Sequence, residues 1–273
     1  MLLLCAAPSY ALAVLENNAA HDVSTKMINK FLRRIAFAIR HLQVSEFRLA
    51  LGKCPFCGPT VFVRLSSDDS GVRCARCAAG LVHLSIGFAI RSSRIEISKC
   101  DVCEFSASGP YVEFLIKHSR TIALSEFVDG AIPGEVRSGV RCEDVQNLSY
   151  ENASFDLVTH TEVMEHVPND HLGFSELRRV LRKHSLMIFT VPIYDSESTL
   201  ERAHLSDGVV VHTSEPVFHV DPWRGGAGIL AFRDYGRDIL ERLLGSGFSK
   251  AHFVDNQIGI PWIRLRRVVV ASS

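Results

Sequence analysis

From about residue 95 onward, short apolar runs alternate with helical stretches, and this alternation constrains the fold more than any other feature. A strand is expected over 100–105, followed by a turn of small residues, Ser106-Ala107-Ser108-Gly109. Pro110, which suits a first helical position, opens a helix over 111–118. Strands are expected at Thr121–Glu126, 139–144 and Phe155–Thr161. Asn169 or Asp170 then caps a helix carrying Phe174, Leu177, Val180 and Leu181 on one face. The run over 185–191 is apolar throughout, as a buried parallel strand should be. A helix over 234–244, stopped by Gly245, and strands over 248–254 and 263–270 complete the series. Alternation of this kind predicts an α/β fold, a doubly wound sheet of seven strands.

Three of the expected strands end in acids: Glu104, Glu126 and the pair Glu143-Asp144. Acid-tipped strands leading into polar loops are how an open α/β sheet builds a ligand crevice at its carboxyl edge. Each acid alone reads as a solvated strand end. Three at successive tips shift the reading to binding.

A second signal lies upstream. Cys54-Pro-Phe-Cys57-Gly58 is followed, with sixteen residues between Cys57 and Cys74, by Cys74-Ala-Arg-Cys77. Two such knuckles match a four-thiolate zinc ribbon, with Cys54, Cys57, Cys74 and Cys77 as ligands. Four thiolates leave no open position, so the expected role is structural. Gly58 permits the tight turn after the first knuckle. A third C-x-x-C, Cys100 and Cys103, falls on a strand; residues three apart there face opposite sides and cannot share an ion. Cys5 and Cys142 read as small apolar residues.

Ahead of the knuckles, 24–51 reads as one amphipathic helix. Ile28, Phe31, Leu32, Ile35, Ile39 and Leu42 form its stripe, which is expected to pack on the domain behind it. Met1–Ala13 lacks the positive start of a secretory leader, and Pro8-Ser9 interrupts its apolar run. No apolar run approaches the ~18 residues needed to span a bilayer. A cytoplasmic chain without a membrane span is expected. Thirty basic residues balance thirty acidic ones, which gives no global field toward nucleic acid, and no nucleic-acid partner is expected.

Glu104 through Gly109, Ser125-Glu126-Phe127, Glu143-Asp144-Val145, Phe155-Asp156-Leu157 and Glu165-His166-Val167 fall in the order and spacing of class I S-adenosylmethionine-dependent methyltransferases. The chain resembles that family over roughly 95–270, and in particular its members with an amino-terminal zinc ribbon. The resemblance implies a Rossmann-like sheet and S-adenosylmethionine as cofactor. It implies that Glu104, Ser106 and Gly109 hold the methionine end, that Glu126 with Phe127 takes the ribose, that Asp144 with Val145 takes the adenine, and that Thr161 borders the site. Two departures stand out. The first loop carries one glycine where the family has several, and Lys183-His184-Ser185 replaces a Pro-Gly-Gly turn. The expected division is an amino-terminal segment (1–51), a zinc ribbon (52–90) and a methyltransferase domain (91–273).

The stretch 193–231 is too long for a simple αβ connection and is expected to form a substrate lid. His219 within it and His166 after the fourth strand are candidate general bases. The expected acceptor is a small molecule or a saccharide. Two other readings compete. An NAD-dependent oxidoreductase would need G-x-G-x-x-G in the first loop, which is absent. A zinc-ribbon interaction protein with a relic cofactor domain would explain the thin glycine loop.

Overall fold

The computed structural model describes residues 32, 35–220 and 228–273. Expectations for Met1–Ala13 with Cys5, for the helix before residue 35 apart from Leu32, and for 221–227 of the insertion lie outside the described residues.

A helix α1 over 35–41 leads into a small antiparallel sheet of β1 (Arg48–Cys54), β2 (Gly58–Arg64) and β3 (Val72–Cys74). The helix expected to reach residue 51 stops at 41, because Arg48 to Cys54 pair with Gly58 to Arg64 as a hairpin. Its expected packing face is also corrected: Leu32, Ile35, Ile39 and Leu42 are exposed. The helix docks through Phe37, which stacks on His41 at 4.2 Å and lies 4.7 Å beneath the Arg73 guanidinium. A cation over an aromatic face decides the docking here, and the aliphatic stripe does not.

Next comes α2 (Leu81–Ser93), a helix absent from the sequence-based expectation. It bridges two cores. Leu81 and Leu84 pack with Phe62 and Ile263 in the ribbon, while Ile86, Ala89 and Ile90 pack with Val102 and Leu157 of the large sheet.

The large sheet follows in sequence as β4 (Asp101–Glu104), α3 (Pro110–His118), β5 (Thr121–Glu126), β6 (Val136–Arg137), β7 (Val140–Cys142), β8 (Phe155–Thr161), α4 (Asp170–Val180) and β9 (Leu181–Thr190). The insertion supplies β10 (Leu200–Glu201), β11 (Ala203–Ser206), β12 (Val209–His212), β13 (Val217–Val220), β14 (Gly228–Ala231) and β15 (Arg233–Asp234). Then α5 (Ile239–Gly245), β16 (Lys250–Val254) and β17 (Val268–Ser272) close the chain. The sheet order is β16-β17-β9-β8-β4-β5-β7-β6. Strands β7, β5, β4, β8 and β9 run parallel; at one edge β17 lies antiparallel to β9, and β16, antiparallel to β17, returns to the common direction. The seven expected strands are all present. The eighth, β6, is a two-residue arm that turns back on β7 through Ser138 (φ 51°) and Gly139 (φ 79°), the left-handed pair a tight hairpin favours.

Asn169 caps α4, its side chain accepting from the Leu172 amide. Cys103 joins the core on one sheet face and Cys100 the core on the other. Asp234, expected in a helix, sits in β15 instead, because the insertion closes back on Leu200–Glu201 before α5 begins. The last strand starts at Val268; Ile263 belongs to the ribbon core. Among the described residues, no helix is long and apolar enough to cross a membrane.

Candidate active site and metal centre

Parallel strands place their carboxyl ends on one edge, so the tips of β4, β5 and β7 stand side by side. Glu104, at the end of β4, is fully buried and accepts hydrogen bonds from the hydroxyls of Ser106 (2.7 Å) and Thr159. Burial pushes its carboxyl up to about 8. Glu126 reaches back to the first loop, accepting from the Ala107 amide at 2.9 Å. Ser106 and Ala107 of the first loop are thus held by Glu104 and Glu126. The loop needs little glycine: only Gly109 has a positive φ (112°), and Ser106, Ala107 and Ser108 do not. Gly109 precedes Pro110, which opens α3. The His83 ring of α2 lies 3.6 Å from where a Cβ on Gly109 would stand. Burial lowers His83 to about 4.

Beyond β7, the Asp144 carboxylate accepts from the Gln146 amide at 2.9 Å, shaping the loop where the chain turns. Val145 is buried, and Phe127 is half exposed. Phe127, Gly130, Glu143, Asp144 and Asn147 line a cavity of about 280 Å³ at this edge. A larger one, about 520 Å³, lies away from the strand tips between the ribbon and 261–264, lined by Arg64, Asp69, Trp262 and Arg264 among others. Asp156 belongs elsewhere: at the opposite end of β8 it pairs with Arg120 and Arg182 in a network shared with Asp101.

After Thr161, the last residue of β8, the chain turns through Glu162, a non-glycine residue at φ 53°. Burial and the neighbouring Glu165 push Glu162 up to about 7. The Glu165 side chain is 1% exposed, and among the described residues neither carboxylate oxygen has a hydrogen-bond partner. His166 Nε2 and His219 Nδ1 each stand 3.7 Å from the same oxygen, Oε1 of Glu165. The two rings meet edge to face at 5.0 Å. His166 Nδ1 lies 2.8 Å from the Leu230 carbonyl, and the Glu165 carboxylate holds His219 above the usual histidine range. The insertion thus brings His219 onto His166, which sequence separates by 53 positions. Arg233 anchors its base, donating to the carbonyls of Met164, Val167 and Pro168 from a buried position. Glu162 and Glu165 were not singled out from sequence as site residues. Their signal was present in Glu162-x-x-Glu165-His166, two acids and a histidine on one short turn.

In the ribbon, Sγ of Cys54 and Cys77 lie 3.7 Å apart and those of Cys57 and Cys74 3.5 Å apart; all four are within 4.8 Å of one another. Ligands about 2.3 Å from a tetrahedral zinc are separated by roughly 3.8 Å, so the spacing fits that ion. Each knuckle ends in a left-handed residue, Gly58 (φ 78°) and Ala78 (φ 66°).

Residues 119–189 match the family described as "Methyltransferase domain". This segment runs from β5 to nearly the end of β9, so the part of the chain that matches a methyltransferase domain is β5, β7 and β8 of the parallel sheet with α4 and β9. No curated protein matches the chain. Among solved structures it is similar to an S-adenosylmethionine-dependent methyltransferase from Mesorhizobium loti, at 15% identity over 69% of this chain and 98% of that one, with a TM-score of 0.46. It is also similar to a putative S-adenosylmethionine-dependent methyltransferase from Listeria monocytogenes (10% identity, 69% and 96% covered, TM-score 0.44). A third similar structure is the Burkholderia thailandensis 1,6-didemethyltoxoflavin-N1-methyltransferase (17%, 68% and 75%, 0.38). Likenesses this distant carry nothing about substrate.

Proposed function

We propose that the chain transfers a methyl group from S-adenosylmethionine to a small-molecule or saccharide acceptor held beneath the 193–231 insertion. The observation that carries the donor site is the row of acids at adjacent strand tips, with Glu104 and Glu126 both bonded to the first loop. The donor set fits a ligand with a cationic end and a diol. Glu104, Ser106 and Gly109 would hold the methionine end; Glu126 and Phe127 the ribose; Asp144 and Val145 the adenine; Thr161 would border the transfer point. A cation beside Glu104 would favour its ionised form, which burial opposes. When bound, the donor supplies a methyl carbon whose bond to sulfur breaks as an acceptor lone pair bonds to it, the old pair staying on sulfur and a proton leaving the acceptor. The chain's own contribution is orientation and exclusion of water, on which an in-line displacement depends most. His166 and His219 stand on the acceptor side as the groups that receive or position that proton. The ribbon, with one structural zinc on Cys54, Cys57, Cys74 and Cys77, forms the middle of three parts, 1–51, 52–90 and 91–273.

Calorimetry with S-adenosylmethionine and with NAD is the test. The sulfonium donor should bind and NAD should not, and Glu126→Ala should weaken donor binding by ~1–3 kcal/mol, because it removes a charged hydrogen-bond partner. Binding of NAD alone would overturn the reading.

A further inference from the structure

We propose that Glu165, His166 and His219 form a second metal centre, a divalent-cation site separate from the ribbon cysteines. The first support is the state of Glu165. A side chain 1% exposed whose carboxylate oxygens both lack partners among the described residues is rare in a folded protein, where buried polar atoms find partners or ions. Both imidazole nitrogens stand 3.7 Å from its Oε1, beyond hydrogen-bond range, so neither satisfies it.

The second support is orientation. His166 donates Nδ1–H to the Leu230 carbonyl, which leaves Nε2 as the lone-pair nitrogen facing Glu165. A backbone carbonyl holding the far nitrogen is the usual way a metal-ligating histidine is fixed. His219 arrives from β13 with its ring at 85° to that of His166, so the rings do not stack, and the three ligand atoms lie within 4.8 Å of one another. Ligands about 2.0–2.2 Å from a cation stand roughly 3.0–3.6 Å apart, so the two 3.7 Å separations need close by only a few tenths of an ångström and the third by no more than roughly 1–2 Å to hold one ion.

Two imidazoles and one carboxylate, without thiolate, suit Mn²⁺, Fe²⁺, Co²⁺ or Zn²⁺ and leave coordination positions open. Glu162, three residues earlier, lies outside this trio and its Oε2 pairs with Arg266 at 3.4 Å. An acceptor hydroxyl bound at an open position would be acidified by the cation, its proton leaving to solvent as the methyl arrives; with the ion bound, His166 and His219 position that proton through the cation and do not receive it. That catalytic role rests on the methyltransferase reading; the ion site itself does not. Because 193–231 supplies His219, the cation would also pin the insertion over the strand tips.

The test uses the full chain with its ribbon zinc in place, titrated with Mn²⁺ while free Mn²⁺ is followed by electron paramagnetic resonance. One Mn²⁺ per chain should bind without methyl donor. Glu165→Gln, which keeps the shape of the side chain, and His219→Ala, on a half-buried hairpin, should each weaken it tenfold or more. Circular dichroism confirms that both variants are folded. Absence of stoichiometric Mn²⁺ and of Zn²⁺ competing for the same site, or unchanged affinity in both folded variants, overturns the proposal. Donor calorimetry on the same samples separates its failure from failure of the donor site.

Discussion

At the scale of single residues, Glu104 shows how position changes chemistry. In the sequence it is an acid at a strand end. In the fold it is a fully buried carboxyl, pushed up to about 8, whose oxygens are taken by two hydroxyls. An unfolded glutamate ionises near 4.5, so between pH 4.5 and 8 the folded state holds a proton that the unfolded state has lost. Unfolding then releases a proton, and stability falls as pH rises through that window, by up to about 1.4 kcal/mol per pH unit for one group. Urea midpoints measured at pH 6 and 7.5 should fall in the native protein, and Glu104→Gln should flatten that change. Equal pH dependence in both would show that Glu104 is not the group responsible. Of the site residues, the acids at β4, β5 and β7 were legible because acids at strand ends stand out against apolar runs. Glu165 was not, since its burial and its lack of partners among the described residues depend on chain far away.

At the scale of elements, α2 is the piece that sequence reading missed. Its residues Leu81 to Ile90 are apolar on more than one side, so no amphipathic stripe announces it. The reason is that both faces are buried: one supports the ribbon, the other the sheet. Gly87 sits where the first knuckle presses on this helix. A Cβ there would stand 2.5 Å from the Phe56 ring and 2.8 Å from Pro55. Gly87→Ala, although it raises helix propensity, should therefore destabilise by ~1–3 kcal/mol as the ribbon is pushed off. A thermal melt showing equal or higher stability would mean that the knuckle moves aside freely. Arg91 makes the same contact from the other end, donating twice to the Pro55 carbonyl.

At the scale of the whole molecule, the ribbon and the sheet share a helix and the segment around Ile263, so they are coupled. Zinc-ribbon folding depends on the ion. Stripping it with a chelator should raise hydrogen exchange across residues 48–79 and in the first turns of α2. Strands β8 and β9, buried in the centre of the large sheet, should stay protected. Loss of protection throughout would show that the ribbon is required for the sheet. No change at 48–79 would count against the four-cysteine site.

Local chemistry determined the order of elements, the parallel sheet, the small antiparallel ribbon and the acid tips, because periodicity, capping and knuckle spacing act over a few residues. Asn169 at the start of α4 and Pro110 at the start of α3 are where the reading predicts them. Long-range contact decided the rest. The face on which α1 docks follows from Arg73 on another strand, the loop after β4 follows from Glu126 reaching across to it, and the meeting of His219 with Glu165 and His166 follows from an insertion anchored by Arg233. These depend on which surfaces the sheet leaves open once its core is packed, and no local run of sequence contains that information.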